Sequence, residues 1–143
     1  MAEEYIWDPL RKKNVPLTPE ERVRQWFISV MEHDMGIPKY KMNSEVSLKY
    51  GETLVQKDFR ADIVAFDRAG NPVMIVECKR PEVELTEDVI RQALVYDIVL
   101  KSRYIVITNG QKTHIFEKNS EDKWDFASKV PTWEEMAGPT KLK

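Results

Sequence analysis

Two neighbouring stretches decide how this chain is read: Phe59-Arg-Ala-Asp62-Ile-Val-Ala-Phe-Asp67 and Pro72-Val-Met-Ile-Val-Glu77-Cys-Lys79-Arg80-Pro81. Both are short and rich in β-branched and aromatic residues, and Arg68-Ala-Gly70-Asn71 joins them, so they predict a hairpin of adjacent strands. Pro72 opens the second strand, where no interior ladder bond is lost, and Arg80-Pro81 closes it. Side chains alternate at period two. Asp62 therefore falls on a face with Val64 and Phe66, and Glu77 and Lys79 fall with Val73 and Ile75. Cys78 points the other way with Val76 and Met74, as a small buried apolar residue rather than a nucleophile. Two carboxylates and an ammonium thus end strands that are otherwise apolar.

Charges in such a place are costly unless they pair or hold a cation. From the residues alone two readings stay open. In one, Glu77 and Lys79 form a same-face ion pair and Asp62 is a strand-end carboxylate. In the other, Asp62 and Glu77 hold Mg²⁺, which keeps several waters and takes one or two carboxylates together with a phosphate oxygen. Lys79 would then orient or deprotonate a water, or balance charge on the transferring phosphoryl group.

Upstream, Thr18-Pro19-Glu20-Glu21 places a capping hydroxyl, a proline at the first helical position and a glutamate three residues after the cap. The helix that follows carries Val23, Trp26, Phe27, Val30 and Met31 at helical spacing, and Gly36-Ile37-Pro38 ends it. Residues 44–50 alternate as a half-buried strand. Residues 1–17 read as an irregular arm broken by Pro9 and Pro16, with Ile6, Trp7 and Leu10 to pin it.

Downstream, a second helix is expected over about 86–101. Gln92 and Tyr96, four apart, lie within its apolar arc of Val89, Ala93, Val99 and Leu100, where polar groups must find partners. They would face either the sheet or the edge of a cleft. Ile90, Leu94 and Ile98 form a second stripe, expected to be covered by the C-terminal tail. Residues 103–108 predict a central strand and 112–118 its return after Asn109-Gly110. Residues 119–143 are weakly patterned, a tail with Trp124, Phe126 and Trp133 as anchors. The element order predicts an α/β (α+β) domain on a mixed sheet over 18–118.

Composition bounds the function classes. The chain has 143 residues, 42% apolar and 32% charged, with a net charge of −2. This suits one domain and excludes a globally basic nucleic-acid binder, though not a local basic rim. Lys39, Lys41, Lys49, Lys57, Arg60, Lys79 and Arg80 could form such a rim, or a solvated face. A single cysteine excludes an intramolecular disulfide, and His33 and His114 lie too far apart for a zinc site built from Cys and His. No apolar run approaches the roughly 20 residues of a membrane span, and the acidic N-terminus lacks a signal-peptide core. A cytoplasmic protein without membrane contact is expected.

Asp62, followed across a hairpin by Glu77-Cys78-Lys79 and then by Gln92-x-x-x-Tyr96, resembles the PD-(D/E)xK nuclease superfamily. Thr18 to Gln25, Arg60 to Val64, Ile75 to Pro81 and Val106 to Gly110 are similar to the N-terminal nuclease domain of the type I restriction enzyme R subunit. The resemblance implies a restriction-endonuclease-like core, a mixed central sheet flanked by helices, that hydrolyses DNA phosphodiester bonds with Mg²⁺, for which Mn²⁺ can substitute. It makes Asp62 and Glu77 the metal ligands and Lys79 the catalytic lysine, with Gln92 and Tyr96 near the site. It also aligns Glu21 with a first-helix glutamate that some members carry near the metal, although Glu21 completes a capping box and lies opposite the helix's apolar stripe.

Two departures stand out. Ala61 replaces the proline before Asp62, which leaves the carboxylate intact. The chain also has no Gly-x-x-x-x-Gly-Lys-Ser/Thr phosphate loop, so no motor is expected in it: it would act alone, assist a partner such as a separate motor or specificity subunit, or be a relic that keeps the fold. The rival reading is a non-catalytic nucleic-acid-binding or assembly module that retains the fold.

Overall fold

The structure, a computed structural model, describes residues 3–50, 57–94 and 101–140. In chain order the elements are β1 (Tyr5–Asp8), β2 (Lys13–Pro16), α1 (Pro19–His33), β3 (Met42–Tyr50), β4 (Lys57–Phe66) and β5 (Pro72–Cys78). They continue with α2 (Glu87–Leu94), β6 (Tyr104–Thr108), β7 (Thr113–Lys118), β8 (Trp124–Phe126) and the short α3 (Trp133–Met136). Six strands form one mixed sheet in the order β3-β4-β5-β6-β7-β8. The expected hairpin is present: β4 and β5 pair antiparallel, with Ile63 opposite Val76 and Val64 opposite Ile75. β5 and β6 run parallel, as a crossover through α2 requires. All five residues of β6 are buried, the pattern of a strand covered on both faces.

Each face of the sheet has its own core. On one, Ile63, Met74, Val76 and Val106 pack with Phe27, Ile28 and Met31 of α1. On the other, Val64, Ile75, Ile105 and Ile107 pack with Ala93, flanked by Val89, Ile90 and Leu94 of α2. Thr18 caps α1 by accepting the Glu21 N–H at 3.0 Å, and Pro19 stands at its first position. Among the described residues no helix is long and apolar enough to cross a membrane.

Several expectations change here. The expected irregular arm instead holds a two-stranded hairpin, β1 with β2, in which Trp7 is 56% exposed and Asp8 is fully buried. It is pinned by the Asp8 and Arg11 charges and by Leu10, which packs against the α1 core. The buried stripe of α1 runs Val23, Arg24, Phe27, Ile28 and Met31, while Trp26 is 45% exposed. The stripe is rotated because Glu21 and Arg24 find charged partners beneath the helix.

On α2, Ile90 and Leu94 pack against the sheet core, with Trp124 of the tail against the same cluster, and Gln92 is exposed. The helix rests on Val89, Ile90, Ala93 and Leu94, which turns position 92 away from the sheet. Tyr96 and Ile98 lie outside the described residues. The segment after residue 118 adds the edge strand β8 and then seals the α1 face. There Trp133 is buried, its backbone N–H bonded to Met35 O at 2.7 Å and its indole N–H to Phe66 O at 3.1 Å. Phe126, expected as an anchor, is 68% exposed on that edge strand.

Phe27 is 1% exposed at the centre of the α1 face. Phe27→Ala should destabilise the fold by about 3–5 kcal/mol, the usual cost of deleting a buried ring with only partial collapse of the cavity. Urea unfolding should record this as a lower midpoint with an unchanged slope. A loss under ~1 kcal/mol would contradict this account of the core.

Candidate functional site

The site is built where strict strand alternation fails. β3 pairs with β4 through Ser44 opposite Ile63 and Val46 opposite Ala61, leaving Glu45 and Asp62 between these pairs. Glu45 has a φ of 54°, a left-handed conformation uncommon outside glycine. Met42 and Ile63 belong to the α1 core, yet Val46 and Ala61 pack in the α2 core. Period two would put Ala61 on the same face as Ile63. Both strands therefore change face at Glu45 and Asp62. The expectation that Asp62 simply shares a face with Val64 and Phe66 is corrected: its carboxylate meets Arg24, which projects from α1 on the opposite face.

Asp62 is 8% exposed. Its Oδ2 accepts the Cys78 N–H at 2.6 Å, a bond that ties β4 to the end of β5, and its Oδ1 lies 3.3 Å from Arg24 Nη2. Burial first, and then the Glu77 carboxylate, push the Asp62 carboxyl up to about 7. The Cys78 N–H and the Arg24 guanidinium pull the other way and do not overcome these, while Glu20 adds a smaller upward push. Glu77 is half-buried, and its Oε1 lies 3.4 Å from Lys79 Nζ. The Lys79 N–H donates to Thr108 O at 2.8 Å, which fixes the end of β5 against β6. The Glu77–Lys79 pair expected from the sequence is present, and Glu77 also lies near enough to Asp62 to raise its carboxyl.

A buried network surrounds this centre. Arg24, 5% exposed, places Nη1 at 3.1 Å from both Ser44 Oγ and Glu45 Oε1, and Nε at 3.5 Å from Glu21 Oε2. Arg11 reaches Glu21 Oε1 at 2.7 Å and Glu45 Oε1 at 3.4 Å, and it also pairs with Asp8. Glu21 is buried, not opposite the stripe, and its side chain does not close a capping box. Its Oε2 instead accepts from Gln25 at 3.0 Å. Glu20, Glu21, Arg24, Glu45 and Arg80 contribute to the walls of an adjoining cleft of about 680 Å³.

Glu77 links the expected residues, acting electrostatically on Asp62 and pairing with Lys79 at 3.4 Å, and Glu21 reaches Asp62 only through Arg24. Gln92 does not, and Tyr96 lies outside the described residues. The basic rim is largely balanced: Lys39 lies 3.6 Å from Glu32, Arg60 3.3 Å from Glu45 and Arg80 3.3 Å from Glu82. The side chains of Lys49 and Lys57 lie outside the described residues.

Sequence reading missed Asp8, Arg11, Arg24 and Glu45. A signal existed for Arg24, which sits three residues after Glu21 and three before Phe27 along the buried stripe. Nothing local marks the other three.

The donor set fits a hard divalent cation. Asp62 and Glu77 offer carboxylate oxygens that repel each other in a poorly solvated place, and a dication would relieve that repulsion. Among the described residues no group of three or more His, Cys, Asp or Glu converges as a metal cage. Mg²⁺ characteristically takes one or two carboxylates and keeps its waters.

A mixed sheet flanked by helices on both faces, with two carboxylates and a lysine at the ends of its central hairpin, defines a restriction-endonuclease-like domain. Residues 19–131 match the family described as Type I restriction enzyme R protein N terminus (HSDR_N), and the chain belongs to that family. Among solved structures it is similar to a fragment assigned as an HsdR subunit of a type I restriction enzyme from Vibrio vulnificus YJ016. That match has a TM-score of 0.59 and 19% identity, and covers 84% of this chain but 24% of that one. It is also similar to a DUF820 protein from Anabaena variabilis ATCC 29413, assigned as a nuclease, with a TM-score of 0.51 and 12% identity over 95% of this chain and 87% of that one. No curated protein matches the chain.

The raised Asp62 carboxyl has a consequence for stability. Its ordinary value is 3.8 and its folded value about 7, so between these the folded protein holds a proton that the unfolded chain has released. Stability linked to this group is therefore present below about pH 4 and is lost as pH rises towards 7. In metal-free buffer, Asp62→Asn should lose less stability than wild type between pH 4 and 8, as measured by thermal unfolding. Parallel pH profiles would contradict the burial argument.

Proposed function

We propose that this chain is a metal-dependent nuclease domain that hydrolyses DNA phosphodiester bonds. The observation that carries the reading is the convergence of Asp62, Glu77 and Lys79 where the β4–β5 hairpin ends, with Asp62 pinned by the Cys78 N–H and Lys79 held on Glu77. Asp62 and Glu77 would hold Mg²⁺, with Mn²⁺ as a substitute. A cation there supplies Lewis acidity towards a phosphoryl oxygen and favours a hydroxide nucleophile. Asp62 presents a carboxylate whose second oxygen is anchored to backbone, so its orientation is set before substrate arrives. Lys79, one-third exposed and 3.4 Å from Glu77, can turn its ammonium from that carboxylate to the attacking water or to the charge developing on the phosphate.

Affinity for DNA would rest on a few phosphate contacts, since the nearby basic residues are already paired. Such binding is independent of sequence and falls steeply with salt. A separate motor or specificity subunit would then concentrate the domain on its substrate, as membership of the R-protein N-terminal family suggests. Gln92 has no part in this reading, because its side chain faces solvent.

Plasmid nicking in Mg²⁺ or Mn²⁺ tests the assignment. Slow cleavage at no fixed sequence is expected, abolished by EDTA. Lys79→Ala should lower the rate by on the order of 10²-fold or more with little change in DNA affinity. Asp62→Asn should mainly raise the metal concentration needed. Cleavage that survives both EDTA and Lys79→Ala would overturn the proposal.

A further inference from the structure

We propose that Arg24 is the positioning residue of this site: its guanidinium, clamped by Glu21, Ser44 and Glu45, fixes the Asp62 carboxylate between α1 and the end of β5. The inference rests on the nuclease reading for its catalytic consequence, but not for its geometry. Arg24 is 5% exposed and stands, with Glu21, on the buried and largely apolar side of α1, where a free guanidinium would be costly. Three elements hold it: α1 through Glu21, the left-handed turn of β3 through Ser44 and Glu45, and β4 through Asp62.

The clamp is directed at β3 and β4 rather than at its own helix. Nη1 makes a 3.1 Å hydrogen bond to Ser44 and approaches Glu45 equally closely, and Nη2 points to Asp62. The buried Nε–H, by contrast, is left without a hydrogen bond although Glu21 lies 3.5 Å away. A helix-stabilising pair would satisfy that inner donor first. The geometry instead sacrifices the Glu21 bond to keep the outer fork on the β3 turn and on Asp62.

Asp62 is thereby held at both oxygens, Oδ2 by the Cys78 N–H and Oδ1 by Arg24. One rotation about its side chain is removed from either end. Arg11 extends the brace outward, because it grips Glu21 and Glu45, the two carboxylates that grip Arg24, and is itself fixed by buried Asp8. The hairpin of β1 and β2 is therefore part of the site's scaffold, joined to Asp62 from Arg11 through three successive ion pairs.

The Cys78 amide reports the Asp62 position without metal, DNA or turnover. Its proton resonance in ¹⁵N-labelled full-length chain should lie well downfield in wild type and move upfield in Asp62→Asn. Arg24→Gln should move it in the same direction, Arg24→Lys partly, and Arg11→Gln least. In cleavage assays Arg24→Gln should lower kcat at least tenfold with KM for DNA within twofold. It should not weaken Mn²⁺ affinity, because the substitution removes a cation that repels the metal. An unchanged Cys78 amide in Arg24→Gln would overturn the proposal. Should Arg24→Gln fail to fold, an unchanged amide in both Arg24→Lys and Arg11→Gln would overturn it. If wild type cleaves nothing, the nuclease reading fails while the amide comparison still decides the role of Arg24.

Discussion

Everything at this site follows from placing one carboxylate, Asp62, where water scarcely reaches it. An unpaired charge there would be prohibitive. The fold responds by aiming a backbone N–H at one oxygen and a guanidinium at the other. The guanidinium in turn requires Glu21, Ser44 and Glu45, which draws α1 and the turn of β3 into place. The balance is still incomplete, because Glu77 lies close enough to add its own repulsion. A site left short of positive charge in this way is suited to a divalent cation.

The same constraint explains why β3 and β4 are irregular. A regular hairpin would leave Asp62 on the α2 face with Val64, away from any cation on α1. The left-handed conformation at Glu45 costs of order 1 kcal/mol or more. It lets Val46 and Ala61 keep apolar neighbours while Asp62 reaches Arg24. Backbone strain of this kind is commonly stored beside functional residues.

Much of this was legible in the sequence. The β4–β5 hairpin, the cap of α1 and the buried β6 followed from apolar periodicity and from Thr18, Pro19 and Pro72. Asp62, Glu77 and Lys79 stood out as charges ending apolar strands. What was not legible depends on contacts distant in sequence. Arg11 looked like an arm residue because its partners Glu21 and Glu45 are ten or more positions away, Asp8 had only Arg11 beside it, and Glu45 gave no local sign of a left-handed turn. The α1 stripe was legible at Val23, Phe27, Val30 and Met31, but Trp26 counted as buried and Arg24 did not count at all. Buried ion pairs invert the rule that charges face solvent. Gln92 alone departs from the expected arc among the described residues: α2 rests on Val89, Ile90, Ala93 and Leu94, which leaves position 92 at the solvent edge.

The central claim is that Asp62 and Glu77 share one cation. Crystals of the chain soaked in Mn²⁺ and measured at the manganese absorption edge test it directly. The account predicts a single strong anomalous peak within about 2.5 Å of an oxygen from each of Asp62 and Glu77, a distance set by hard-cation coordination. No peak at these carboxylates, or manganese bound only elsewhere on the molecule, would contradict it.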